Sequence, residues 1–208
     1  MKNVLILGDS YSTFRGYIPE GYRTYYPQFD VHSVTDTWWN RLASRFDLNI
    51  TENNSWSGST VSYTGREGDC SSSSSFIYRF DCLAERGFLT ENAVDTVFIF
   101  GATNDSWIDV PLGELKYGDI SRDELFSILP AISALFARVR AALPKGKIVC
   151  VINTELKPEI AEAFIEVSHR YGALPVTLRS IDKESGHPTA LGMSEIAEQI
   201  AEAIDGEN

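Results

Sequence analysis

The sequence predicts an α/β protein, a three-layer α/β/α sandwich around a mainly parallel sheet of about five strands. Short apolar runs containing β-branched residues alternate along the chain with longer segments of helical period. The runs are apolar at successive positions, as strands buried on both faces are, rather than at every second position. No internal repeat or linker interrupts the alternation, so residues 1–208 read as one domain.

The first strand covers residues 4–7 and stops at Gly8, with Asp9 and Ser10 next. A polar, aromatic loop follows at 15–34, where Pro and Gly break any period. Residues 35–46 form a helix capped by Thr35 or Asp36, with Trp38, Trp39, Leu42 and Phe46 on one stripe. A short second strand at 48–53 precedes a helix at 74–87 that is entered from a serine run and ends at Gly87. That run, Ser71 to Ser75, reads as solvated loop. The third strand ends at Gly101 and delivers Asn104 and Asp105. In the long helix at 124–144, Pro130 marks either a kink or an early turn. A fourth strand at 147–153, a helix at 155–172 with its C-cap at Gly172, and a fifth strand at 174–180 come next. The last helix covers 187–204, with Pro188 near its first turn.

Composition narrows the function classes. The chain is 43% hydrophobic, enough for one sizeable core, and its net charge of -11 argues against nucleic acid or an anionic membrane as partner. The first apolar run is shorter than the roughly 7 to 15 residues of a signal-peptide core, and no segment approaches transmembrane length. The chain as it stands therefore reads as cytoplasmic; a precursor that had lost a signal peptide would place it in the periplasm or outside the cell. Cys70, Cys82 and Cys150 are an odd number without C-x-x-C spacing, which indicates neither a zinc site nor a full disulfide framework. Cys70 and Cys82 could still close one loop in an oxidising compartment.

The carboxyl ends of parallel strands are where open α/β sheets bind ligands. Four separated segments fall on that edge: Ser10 after strand one, Gly58 in "NNSWSGST" after strand two, Asn104 after strand three, and His187 between strand five and the last helix. A serine hydroxyl needs a base within hydrogen-bond reach, which histidine supplies near its own pKa. A tetrahedral intermediate needs donors aimed at its oxyanion, such as an uncrowded glycine N–H and an amide NH2.

"GDSYS", "SWSGST", "GATND" and "GHPTALGM" stand in one order across nearly the whole chain, and in this order they resemble the four blocks of the SGNH hydrolases, or GDSL-like lipases and esterases. The likeness is greatest to a bacterial branch of esterases with "GDSYSTF" and "GHP". It implies a flavodoxin-like sandwich, Ser10 as nucleophile, His187 as base, and an oxyanion hole from the Ser10 N–H, Gly58 and Asn104. It implies no cofactor and no metal. Three positions depart from the pattern: Ala102 stands where the third block usually has glycine, Ser55 replaces an earlier glycine of the second block, and Glu184 holds the place of the usual aspartate. Asp182 lies two residues earlier, so the acid that orients His187 is Glu184, Asp182 or neither, with a backbone carbonyl in its stead.

The expected function is a serine esterase removing a short acyl group, acetyl foremost, from a small molecule or oligosaccharide. Tyr17, Tyr22, Tyr25, Tyr26, Trp56 and Trp107 flank the blocks, either stacking on a sugar or packing the long loops. Two other readings share the fold: an FMN-binding module with "SYSTF" around the phosphate, and a catalytically inactive interaction domain.

Overall fold

The computed structural model describes residues 1–206. The chain runs through β1 (Lys2–Gly8), α1 (Trp38–Phe46), β2 (Leu48–Ser55), a hairpin of β3 (Thr64–Gly65) and β4 (Gly68–Asp69), α2 (Phe76–Glu85) and α3 (Phe88–Glu91). It continues through β5 (Thr96–Phe100), α4 (Thr103–Trp107), α5 (Ile128–Ala142), β6 (Lys147–Ile152), α6 (Pro158–Arg170) and β7 (Leu174–Thr177). A second hairpin, β8 (Lys183–Glu184) and β9 (His187–Pro188), leads into α7 (Ala190–Asp205). Five strands form one sheet in the order β2-β1-β5-β6-β7, and every neighbouring pair is parallel. The order reverses between β1 and β5, which opens a crevice at the carboxyl ends of those two strands.

The uninterrupted apolar runs are explained by two cores on one sheet. Val4 and Ile6 pack with Phe98, Phe100, Val149 and Val151 against Trp38 and Leu42 of α1 and Ile196 and Ile200 of α7. Leu5 and Leu7 point the other way with Val97, Ile99, Ile148 and Ile152, against residues of α2, α5 and α6. Each of these side chains contributes about 1.5–3 kcal/mol by leaving water. Both faces being covered is what removes the period-two signal.

Element ends show where local chemistry overrides pattern. The helix expected from residue 35 begins at Trp38, because a Ser33/Asp36 capping box closes a separate 3-10 turn and Thr37, in extended conformation, caps α1. The segment 124–144 is likewise split at Ser127, which puts Pro130 in the first turn of α5, where a missing N–H costs little. Tyr171 caps α6, and Gly172 follows it with φ 61°. Pro188 lies in β9 rather than in the last helix, whose cap is Thr189. Within the serine run, Ser75 is buried, and its hydroxyl accepts from Tyr78 N at 3.2 Å as the cap of α2. Cys70, Cys82 and Cys150 are all free thiols, Cys70 and Cys150 buried and Cys82 exposed. Among the described residues no helix is long and apolar enough to cross a membrane.

Arg79, on α2, is 1% exposed. Its Nη1 donates to the carbonyl and Oδ1 of Asn54, Nη2 to Gly8 O at 3.1 Å and Ser59 Oγ at 3.2 Å, and Nε to Ser74 O at 2.9 Å. The Phe76 ring lies 4.6 Å from the guanidinium carbon. Burial pulls the Arg79 pKa down to about 10, which leaves it charged at neutral pH. One side chain thus ties together the ends of β1 and β2, the following loop and the entry to α2. Arg79→Ala would strand several buried acceptors, so a loss of at least about 3 kcal/mol is expected in urea unfolding; a loss under about 1 kcal/mol would show that these groups find other donors.

Candidate active site

Ser10 opens a 3-10 turn, Ser10–Ser12, directly after β1. The turn passes so close to β2 that a Cβ on Gly8 would lie 2.4 Å from Ser55 Oγ and 2.5 Å from Ser12 Cβ, so only glycine fits. Asp9 caps the turn, Oδ1 accepting from Tyr11 N at 3.1 Å, and Thr13 Oγ1 donates to Ser10 O at 3.0 Å. Ser10 to Thr13 are buried, and the N–H groups of Tyr11, Ser12 and Thr13 are taken up by Asp9 Oδ1, Asp9 O and Ser10 O, where a flavin phosphate would need several open donors.

His187 reaches the same place from the far end of the chain. β8 and β9 are joined by a two-residue turn in which Ser185 and Gly186 both have positive φ, 49° and 76°, the signs a type I′ hairpin needs. Tyr11 Oη donates to Gly186 O at 2.5 Å and Tyr26 Oη to Pro188 O at 2.6 Å, so two buried tyrosines hold the hairpin backbone. The Tyr25 ring stacks on the imidazole, centroids 3.7 Å apart and planes within 9°, and Trp107 meets it edge-on at 5.8 Å. Nε2 then lies 3.0 Å from Ser10 Oγ.

Nδ1 of His187 faces the Ser185 carbonyl at 3.2 Å. A carbonyl only accepts, so this contact requires the proton on Nδ1 and leaves the Nε2 lone pair toward the serine. Burial holds the His187 pKa below the usual imidazole value; the Ser185 carbonyl opposes that shift, while Lys183 adds to it. The structure brings neither sequence candidate for the acid to Nδ1. Asp182 is engaged at the start of α7, where its carboxylate accepts from Thr189 Oγ1 and its carbonyl from Thr189 N. Glu184 sits cross-strand from His187 and is exposed. Gly192 shows how closely α7 docks there, since a Cβ on it would lie 2.0 Å from Asp182 O.

Asn104 lies in α4, entered through Ala102 at φ 67°. Alanine thus holds a left-handed conformation that glycine would adopt freely. The Asn104 amide is fixed at both ends: Nδ2 donates to Ser59 O at 3.0 Å, and Oδ1 accepts from Arg66 Nε at 2.9 Å. One Nδ2 hydrogen remains for a ligand. Asp105 binds the same loop through Val61 N at 2.8 Å, Ser62 N at 3.1 Å and Ser62 Oγ at 2.8 Å, and Trp56 N donates to Gly8 O at 3.1 Å. Gly58, φ 85°, is carried on this loop. Beside it is a cleft of about 260 Å³, with Arg23, Trp56 and Arg66 among its walls. Tyr22 packs on Trp56, centroids 4.4 Å apart.

A family model described as GDSL-like lipase/acylhydrolase matches residues 2–204. The chain belongs to this family of ester hydrolases. A solved structure described as a GDSL-like lipase from Bacteroides ovatus is 37% identical, with 99% of each chain covered and a TM-score of 0.91. Another, from Bacteroides uniformis, is 36% identical over 99% of this chain and 96% of that one, with a TM-score of 0.90. A family two carbohydrate esterase from Clostridium thermocellum shares the fold at 16% identity and a TM-score of 0.63, over 99% of this chain and 64% of that one. No curated protein matches the chain. In this GDSL-like hydrolase the side chains that hold Asn104, the sheet-edge loops, the His187 ring and its hairpin include Arg66, Arg79, Tyr25 and Tyr26, all outside the four blocks.

Two buried carboxylates lie beneath the site of this hydrolase. Burial pushes Asp9 up to about 7 and Asp105 up to about 6, against the hydrogen bonds each accepts. A raised carboxylate pKa stabilises the fold most below the unfolded value, and that contribution is lost as pH rises through the folded one. Asp9→Asn keeps the acceptor for Tyr11 N and cannot ionise. Its stability relative to wild type is therefore expected to climb between about pH 4 and pH 7, by roughly 1.4 kcal/mol for each unit of raised pKa. Urea unfolding across that range checks it, and a pH-independent difference would refute it.

Proposed function

We propose that this chain is a serine esterase that removes a short acyl group, acetyl foremost, from a carbohydrate. The observation that carries the reading is the 3.0 Å contact between Ser10 Oγ and His187 Nε2. With its proton held on Nδ1 by the Ser185 carbonyl, His187 takes the hydroxyl proton at Nε2 as Ser10 attacks the ester carbonyl. The Ser10 and Gly58 N–H groups and the remaining Asn104 Nδ2 hydrogen receive the oxyanion. His187 then protonates the departing alcohol, and water, activated at the same Nε2, releases the acyl group from Ser10.

The sugar part of the reading is supported by aromatic surface near the site. Trp107 is 38% exposed beside His187, and the Tyr22–Trp56 pair stands at the cleft. Carbohydrate esterases with this fold, including an acetyl xylan esterase from Butyrivibrio proteoclasticus at 14% identity and a TM-score of 0.60, agree with it. Tyr25 and Tyr26 serve His187 and its hairpin instead.

Hydrolysis of acetyl esters in preference to long-chain ones is expected. Ser10→Ala should lose more than about a thousandfold in kcat, and Asn104→Ala about 10²- to 10³-fold with folding intact. A Ser10→Ala protein with wild-type activity would end the mechanism.

We further propose that the Ser185 carbonyl does the orienting work of a triad carboxylate. Glu184→Gln and Asp182→Asn should each keep kcat within about tenfold of wild type, against the roughly 10⁴-fold loss that a triad carboxylate shows on the same change. A loss of that larger order in a folded variant would identify it as the acid.

A further inference from the structure

The cleft beside Gly58 carries several charges, and all but one are matched. Arg23 pairs with Glu67 at 3.0 Å. Asp69 accepts from Ser71 N at 2.8 Å and lies 4.0 Å from Arg122. Arg66 pairs with no carboxylate among the described residues. Its Nε is committed to Asn104 Oδ1, and its guanidinium carbon lies 5.9 Å from the Trp107 ring centroid. Its side chain also runs past Gly58, where an added Cβ would stand 3.8 Å from Arg66 Cδ. The Arg66 Nη groups, four donors of a planar fork, thus remain available beside the donors proposed for the oxyanion.

We infer that the Arg66 guanidinium makes this cleft a receptor for a carboxylate carried by the ester substrate, an inference that rests on the esterase reading above. A guanidinium fork matches a carboxylate in two parallel hydrogen bonds, and such charge-assisted pairs are stronger than neutral ones. The net charge of -11 does not decide the matter at this range, because exposed charges more than about 10 Å away are largely screened. At about 260 Å³ the cleft is below the roughly 300–1,000 Å³ of pockets that enclose drug-sized ligands, which suits one ring or a short acid better than a chain. Ser57, Ser73 and Ser74 add polar lining, and Trp56 adds a flat apolar wall.

The carboxylate can arrive from either side of the ester, on the alcohol as in an acylated uronic acid or on the acyl group as in a dicarboxylic half-ester. Two matched pairs separate these sources: O-acetylated methyl glucuronide against O-acetylated methyl glucoside, and monoethyl succinate against ethyl butyrate. In wild type the anionic member of one pair should have the higher kcat/KM by about tenfold or more. Arg66 also holds Asn104, so its variants will slow both members of a pair, and the ratio removes that shared loss. Arg66→Gln should bring the ratio to about one or below, with Arg66→Lys between, since an ammonium keeps the charge without the fork. A wild-type ratio of one or less in both pairs, or a ratio that Arg66→Gln leaves unchanged, overturns the inference and leaves the esterase reading standing. If wild type hydrolyses neither pair, the esterase reading fails. Calorimetric titration of methyl glucuronide and of succinate into Ser10→Ala protein then decides the cleft alone: binding abolished by adding Arg66→Gln sustains it, and binding unaffected or absent overturns it.

Discussion

The constraint on which the rest of the site depends is the burial of one positive charge. A guanidinium out of water is tolerated only where its donors are met, and around Arg79 they are met by carbonyl and hydroxyl oxygens from four separate segments. Those segments carry the Gly8–Asp9–Ser10 turn, the end of β2, the loop with Gly58, and the serines that lead into α2. Hydrogen bonding and burial together fix the loops at the sheet edge to one another. Asp105 extends the arrangement by receiving three donors of the same loop, so that the amide of Asn104 and the backbone of Gly58 sit on a common support.

Much of the fold was legible because burial on both faces leaves continuous apolar strands, and the parallel sheet follows from their alternation with helices. Helix starts were less legible. Ser33 and Asp36 are good capping residues, and in the fold they cap a single turn that ends at Thr37. Ser10 and His187, 177 positions apart, could be placed together through the order of the blocks, and the structure puts Ser10 Oγ 3.0 Å from His187 Nε2. Arg79 could not be placed: within "FIYRFDC" it looks like the polar face of an amphipathic helix, and three of its four partner residues lie 20, 25 and 71 positions away. Arg66 and the stacking Tyr25 are hidden for the same reason. The partner of Nδ1 was also beyond spacing alone, because the direction of a two-residue turn decides that it faces the Ser185 carbonyl rather than Asp182 or Glu184.

The charge pattern around the imidazole is economical. A dipole rather than a full negative charge stands behind it, a tyrosine ring covers one face, and burial disfavours its protonated form. These contacts together hold the His187 pKa below the usual imidazole value, while the full charges that act on it, Lys183, Glu155 and Arg66, stand to the side. Lys183 is held by Glu155 at 3.1 Å, and Arg66 leans on Asn104.

The docking of α7 on the β8–β9 hairpin has a consequence for how activity and folding are coupled. The absence of a side chain at Gly192 lets the helix rest directly on the Asp182 carbonyl, and Thr189 joins the two from the other side. Ser10 sits in the turn that follows the first strand, and His187 belongs to the segment that this terminal helix pins down. A local opening in which α7 peels away would take His187 from Ser10 while β1, β5 and β6 stay paired. Amide exchange in α7 and loss of turnover would then report a single sub-global event, well before the sheet melts.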